Sequence, residues 1–115
     1  MQPIADDTPR LKALEQVLRE SLRGEVYLDA FSRGIYATDA SHYQIVPSLV
    51  VVPRDEADCV RAVQLAAEHG VPITPRGAAT SLSGQTFGTG MVLDLSKYMD
   101  QVLEVNLGEG WARVQ

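Results

Sequence analysis

Leu11, Leu14, Leu18 and Leu22 recur at helical spacing behind Thr8 and Pro9 and ahead of Gly24. Apolar residues three or four apart fall on one helix face, threonine caps a first turn, proline suits the first helical position and glycine ends the run. The pattern therefore predicts an amphipathic helix from Thr8 to Gly24. Its other face carries Lys12, Glu15, Arg19 and Glu20, a solvated set in which Glu15 stands four positions before Arg19, the favourable order for an ion pair. Residues 1–7, with Pro3, Asp6 and Asp7 and no apolar period, are expected to be frayed and disordered.

Between Glu25 and Pro47 the pattern breaks down. Tyr27, Phe31, Tyr36 and Tyr43 stand among Gly34, Asp39 and Ser41, which predicts turns and extended connection pinned by aromatic rings. Order returns at Leu49-Val-Val-Val52, an unbroken apolar run closed by Pro53, the signature of a strand buried on both faces and central in its sheet. Asp55 then caps a second helix with Glu56 and Asp58 in its first turn, Val60, Val63 and Ala67 as its inward stripe, and Gly70 at its close. Val71-Pro-Ile-Thr74 reads as the next strand, completing a parallel, right-handed β-α-β unit. Met91-Val-Leu-Asp-Leu95 is a further strand, and the runs 102–107 and 111–115 flank Gly108-Glu-Gly110 as a hairpin. The fold class expected is α+β: a β-α-β unit with additional short strands and an extra N-terminal helix. No repeat of 20 to 50 residues is visible.

The 115 residues, 45% hydrophobic and 22% charged, suit one small globular domain or a piece of a larger one. The closing run 111–115 has no polar tail and leaves a strand edge to be covered, so an amino-terminal fragment of a longer polypeptide is expected. A net charge of -5 has the wrong sign for a general binder of nucleic-acid backbones. Cys59 is the single cysteine, which excludes an internal disulfide and a cysteine-based zinc site and suits a reducing, cytoplasmic setting. The acidic start does not resemble a signal peptide, and no apolar run approaches the ~20 residues of a membrane span.

Candidate chemistry concentrates in Pro75-Arg-Gly-Ala-Ala-Thr-Ser-Leu-Ser-Gly-Gln85. A phosphate is held when several backbone N–H groups converge on a concave turn, and close approach demands small residues. Gly77, Ala78, Ala79 and Gly84 meet that demand, Thr80, Ser81 and Ser83 add hydroxyls, and Arg76 brings one positive charge beside the turn. A long flexible connection is the plainer reading of the same letters. Three competing motifs fail. Gly84 is followed by Gln85 and Thr86 with no lysine before Lys97, against a Walker loop. The glycines come one strand too late for a dinucleotide Rossmann fingerprint. Neither Ser81 nor Ser83 has the flanking glycines of a nucleophile elbow.

Taken as an ordered set, Tyr36-Ala-Thr-Asp-Ala-Ser41 with Tyr43, the strand from Pro47 to Pro53, Glu68-His-Gly70, the stretch Pro72 to Gln85, Val92 to Ser96 and Gly110 to Val114 resemble the PCMH-type (vanillyl-alcohol oxidase type) FAD-binding domain. Within it they resemble the glycolate-oxidase-like FAD-linked dehydrogenases. The resemblance runs from about Tyr36 to the end, with residues 47–115 as the FAD-binding subdomain and 8–46 as helix and connection before it. It implies that the loop holding Arg76, Gly77, Ala78, Ala79, Thr80, Ser81, Leu82, Ser83, Gly84 and Gln85 wraps the FAD diphosphate with backbone N–H groups. The family commonly has glycine where this chain has Ala78 and Ala79, and alanine is penalised at positive φ. Covalent members carry histidine where Thr80 stands, so non-covalent FAD is implied. The implied parent oxidises the CH–OH of a 2-hydroxy acid of the D-lactate, glycolate or 2-hydroxyglutarate class. Its substrate and flavin-ring contacts lie in later segments, so the fragment is expected to be catalytically incomplete. Gly108 to Trp111 look like the long bacterial members fused to iron-sulfur domains, so an iron-sulfur cluster is implied for segments beyond Gln115.

Other residues read as structural. Asp39 with His42 suggests a turn-stabilising acid and a surface histidine, and His69 beside Gly70 suits a helix C-terminus. Two histidines and one cysteine so scattered do not compose a metal site. Two other classes stay open: a free-standing phosphate- or nucleotide-binding module, and a structural domain that offers its last strand to a partner.

Overall fold

The computed structural model describes residues 8–115, and the expectation for residues 1–7 lies outside them. The first helix, α1 (Thr8–Ser21), buries Leu11, Leu14 and Leu18, with Leu22 one turn on, and Arg19 meets Glu15 at 2.8 Å. Gly24 follows it without a positive φ. The position is tight for another reason: a Cβ there would stand 2.2 Å from the Val52 carbonyl oxygen.

The stretch expected to be irregular contains two elements. Strand β1 (Glu25–Tyr27) pairs antiparallel with β2 (Leu49–Val52), and α2 (Ala30–Ile35) starts where the Asp29 carboxylate accepts from the Ser32 amide at 2.8 Å. Both are too short to show a period, so only pairing to a partner strand and a side-chain cap reveal them.

Helix α3 (Glu56–Glu68) is capped by Asp55, which accepts from the Asp58 amide at 3.0 Å. It closes with the Gly70 amide on the Ala67 carbonyl, the Val71 amide on that of Ala66, and Gly70 at φ +62°. That arrangement satisfies two of the otherwise orphaned carbonyls. His69 Nδ1 lies 2.8 Å from the Leu65 carbonyl, as suits a helix end. The inward stripe is corrected. Val60 and Val63 are 51% and 42% exposed, while Asp58, Ala62, Leu65 and Ala66 are buried. Asp58 decides the rotation, since its carboxylate accepts from the amides of Arg23 and Arg54 and must face inward.

Strand β3 (Ile73–Arg76) begins two residues later than expected and includes Pro75. It tolerates proline because it is an edge strand in the order β1-β2-β4-β3, where β4 is Met91–Asp94. β2, β4 and β3 are mutually parallel, and the β-α-β unit passes over the slot that β4 later fills. One sheet face packs Leu49, Val51, Met91 and Leu93 against the leucines of α1 and the alanines of α3. The other carries Val50, Val52 and Val92 beneath Tyr27, Tyr36 and Tyr98. This mixed architecture with a parallel sheet matches the expected class. Strands β5 (Val102–Asn106) and β6 (Trp111–Val114) form a separate antiparallel hairpin. Among the described residues no helix is long and apolar enough to cross a membrane.

Candidate functional site

Because β3 and β4 run parallel and adjacent, the connection 77–90 must carry the chain from the carboxyl end of β3 back to the amino end of β4. Such crossovers are normally helices. This one is irregular, and long irregular connections inside small domains usually carry function. It is anchored at its far end by close backbone approach: a Cβ on Gly90 would lie 2.1 Å from the Pro72 carbonyl oxygen.

A second segment lies against it. Residues 37–45 form a small arch, closed by the Thr38–Gln44 bridge and by the Ile45 amide on the Ala37 carbonyl at 2.9 Å. Three ties join arch and loop, and a fourth joins residues 36–38 to the end of β3. The Ala40 amide donates to the Ala79 carbonyl at 3.1 Å, and Thr86 Oγ1 donates to Asp39 at 3.1 Å. Gly84, at φ +70°, backs onto Tyr43, whose ring would lie 3.0 Å from a Cβ there. Arg76 Nη1 donates to the carbonyls of Tyr36 at 3.3 Å and Thr38 at 2.8 Å, with its guanidinium 5.1 Å from the centre of the Tyr36 ring.

Asp39 turns the arch by accepting from the Ser41 amide at 2.8 Å. Desolvation works against its charged form, but the bonds from Ser41 and Thr86 prevail and hold its carboxyl below the usual range. Tyr36 donates to Asp94 at 2.8 Å, and burial together with that bond pushes its phenol well above the ordinary tyrosine value. It therefore stays a protonated donor throughout the physiological range.

Within the loop, Ser81 Oγ accepts from the amides of Ser83 at 3.2 Å and Gln85 at 3.3 Å, drawing the chain into a tight curl. Among the described residues the amides of Gly77 through Leu82 and of Gly84 make no hydrogen bond. Ala79 sits at φ +57°, the one non-glycine residue at positive φ among those described. A Cβ on Gly77 would meet nothing within 4 Å, so the fold itself does not require glycine there. A row of undersubscribed amides on small residues is the donor set that suits a diphosphate. Of the residues expected from the sequence, Gly77 to Leu82 present main-chain donors, Ser81 organises the loop, Gly84 packs against the arch and Arg76 joins the two segments. Asp39, Ser41, Tyr43 and Thr86 were not expected at the site. The signal for Asp39 and Ser41 was the Asp-Ala-Ser turn spacing inside the stretch that already carried a resemblance. Among the described residues no group of three or more His, Cys, Asp or Glu could hold a metal ion.

The chain is similar to D-2-hydroxyglutarate dehydrogenase of Pseudomonas putida, 40% identical over 105 residues, covering 89% of this chain and 10% of that protein. It is also similar to glycolate oxidase subunit GlcD of Bacillus subtilis, 42% identical over 86 residues, covering 72% of this chain and 18% of that one. The chain thus spans about a tenth to a fifth of the length of these curated relatives. Among solved structures, 4-ethylphenol oxidase from Gulosibacter chungangensis shares the fold with a TM-score of 0.68 at 18% identity, covering 92% of this chain and 22% of that one. The family described as FAD binding domain matches residues 47–115, taking in β2, α3, β3, the loop, β4 and the β5–β6 hairpin, and the chain belongs to that family.

Proposed function

We propose that the loop from Arg76 to Gln85 binds the diphosphate of a non-covalently held FAD, and that the chain is the FAD-binding portion of an oxidoreductase acting on the CH–OH of a 2-hydroxy acid. The observation that carries this reading is the run of unpaired amides from Gly77 to Leu82 on a curl held by Ser81. Backbone N–H dipoles converging on an anion stabilise it without a fixed cation, which suits a chain of net charge -5. The hydroxyls of Thr80 and Ser83 add donors, Leu82 contributes its main-chain amide, and the Gln85 amide closes the turn on Ser81. Thr80 has no imidazole with which to bond a flavin ring, so the cofactor is held by these contacts alone. When bound, FAD would supply the acceptor for one hydride equivalent, that is two electrons and one proton. This chain's residues bind and orient it, while substrate contacts come from elsewhere in the polypeptide.

The hydroxy-acid class rests on the identity to a D-2-hydroxyglutarate dehydrogenase and to a glycolate oxidase subunit. With Cys59 as the only cysteine, any iron-sulfur cluster of the parent takes its ligands from outside these residues. A cytoplasmic, soluble parent is part of the same proposal. The test is purification of the intact protein. It is expected to show flavin absorbance, to release the flavin into the supernatant on acid precipitation, and to bleach with a D-2-hydroxy acid under exclusion of oxygen. An intact protein that takes up no FAD at saturation overturns the reading.

A further inference from the structure

Arg76 is the obvious cation to set against a phosphate, yet its side chain is engaged by two backbone carbonyls and a tyrosine ring. Its backbone is fixed in the sheet: Arg76 pairs with Asp94 in the β3–β4 ladder, and its carbonyl accepts from the Leu95 amide at 2.9 Å. From that rigid root, Nη1 reaches the carbonyl of Tyr36, just before the arch, at 3.3 Å and that of Thr38, within it, at 2.8 Å, while the guanidinium carbon stands 5.1 Å from the centre of the Tyr36 ring. A guanidinium that bridges two carbonyls and stacks on a ring is geometrically committed in a way that a lysine ammonium is not. The arch held there supplies the Ala40 amide to the Ala79 carbonyl, and so helps keep the one non-glycine residue of the loop at positive φ.

We propose that Arg76 is a positioning residue for the diphosphate site: it locks the 36–40 segment to the end of β3 so that the loop amides are held in place, and it does not serve as the counter-charge of the phosphates. The inference rests on the FAD reading of the loop. It differs from a simple ion-pair role in what substitutions do. A point charge is replaceable by lysine and gives ionic-strength-dependent binding, because salt screens exposed charges over about 8–10 Å. A two-carbonyl clamp is not replaceable in this way.

The test uses the intact protein stripped of flavin, with Arg76→Lys and Arg76→Gln, and measures FAD affinity by flavin fluorescence at low and high salt. Amide hydrogen exchange is followed in parallel. Both variants are expected to bind FAD about tenfold or more weakly, since the cost is lost preorganisation. Both should keep the salt dependence of the wild type, and exchange should quicken in residues 37–45 while α1 and α3 keep their protection. Wild-type affinity in Arg76→Lys, with a loss and a flattened salt response in Arg76→Gln, overturns the positioning role and leaves the FAD reading standing. Unchanged exchange in the arch also overturns it. Failure of the wild type to bind FAD brings down both. Should Arg76→Gln unfold as a whole, Arg76→Lys decides alone: full affinity refutes the clamp, and the stated loss supports it.

Discussion

Replacement of Ala79 by glycine should stabilise the protein, although it removes a side chain from a half-buried position. Ala79 lies at φ +57°, where its Cβ crowds the backbone. The strain is about 1–2 kcal/mol for an L-residue in the left-handed region. Glycine escapes it but carries extra freedom into the unfolded chain, which offsets roughly 0.5–1 kcal/mol. The net gain is therefore about 0.5–1 kcal/mol, a rise in melting temperature of roughly 2–6 °C for a domain of this size. Ala78 is the internal control. Its φ is not positive, so Ala78→Gly incurs the entropic cost with no relief and should destabilise by about 0.5 kcal/mol. Urea or thermal unfolding followed by far-UV circular dichroism reads both variants side by side. A destabilised Ala79→Gly, or the same sign for the two neighbours, would refute the assignment of strain to this residue.

Two further outcomes follow from other parts of the sheet. Glu25 accepts from Lys97 Nζ at 2.6 Å and from the phenols of Tyr27 and Tyr98, and these bonds, led by that of Lys97, lower its pKa from 4.5 to about 2. A depressed carboxylate contributes stability that is complete above pH 4.5 and disappears as the pH falls toward 2. Glu25→Gln should flatten the stability profile across that window, and an unaltered slope in pH-dependent melts would rule out this contribution. Gly90→Ala should cost about 2 kcal/mol or more, because the new methyl would stand 2.1 Å from the Pro72 carbonyl oxygen, which itself accepts from the Met91 amide. Retention of wild-type stability in a urea titration would show that the backbone there relaxes freely.

Much of the architecture was legible along the chain because local rules sufficed. The leucine repeat of α1, the aspartate cap and glycine stop of α3, the four-residue apolar run of β2 and the hairpin glycines each state their element through period, capping or turn chemistry. The loop was legible too, since a cluster of small and hydroxyl-bearing residues is hard to explain by core packing. The inward face of α3 was not. Two apolar stripes interleave there, and the bulkier valines lost to alanines because Asp58 had to reach the amides of Arg23 and Arg54.

Sequence alone determined the two long helices and the central strand, which run is buried on both faces, and which segment is built of residues small enough to bring main-chain donors close to an anion. Those properties depend on neighbours three or four positions away. Tertiary structure alone decided that β4 inserts between β2 and β3, that β1 exists as a paired strand, and that the arch 37–45 closes over the loop. It also decided that Arg76 faces the carbonyls of Tyr36 and Thr38, some forty positions away, since a guanidinium satisfies whichever acceptors the fold brings within its reach.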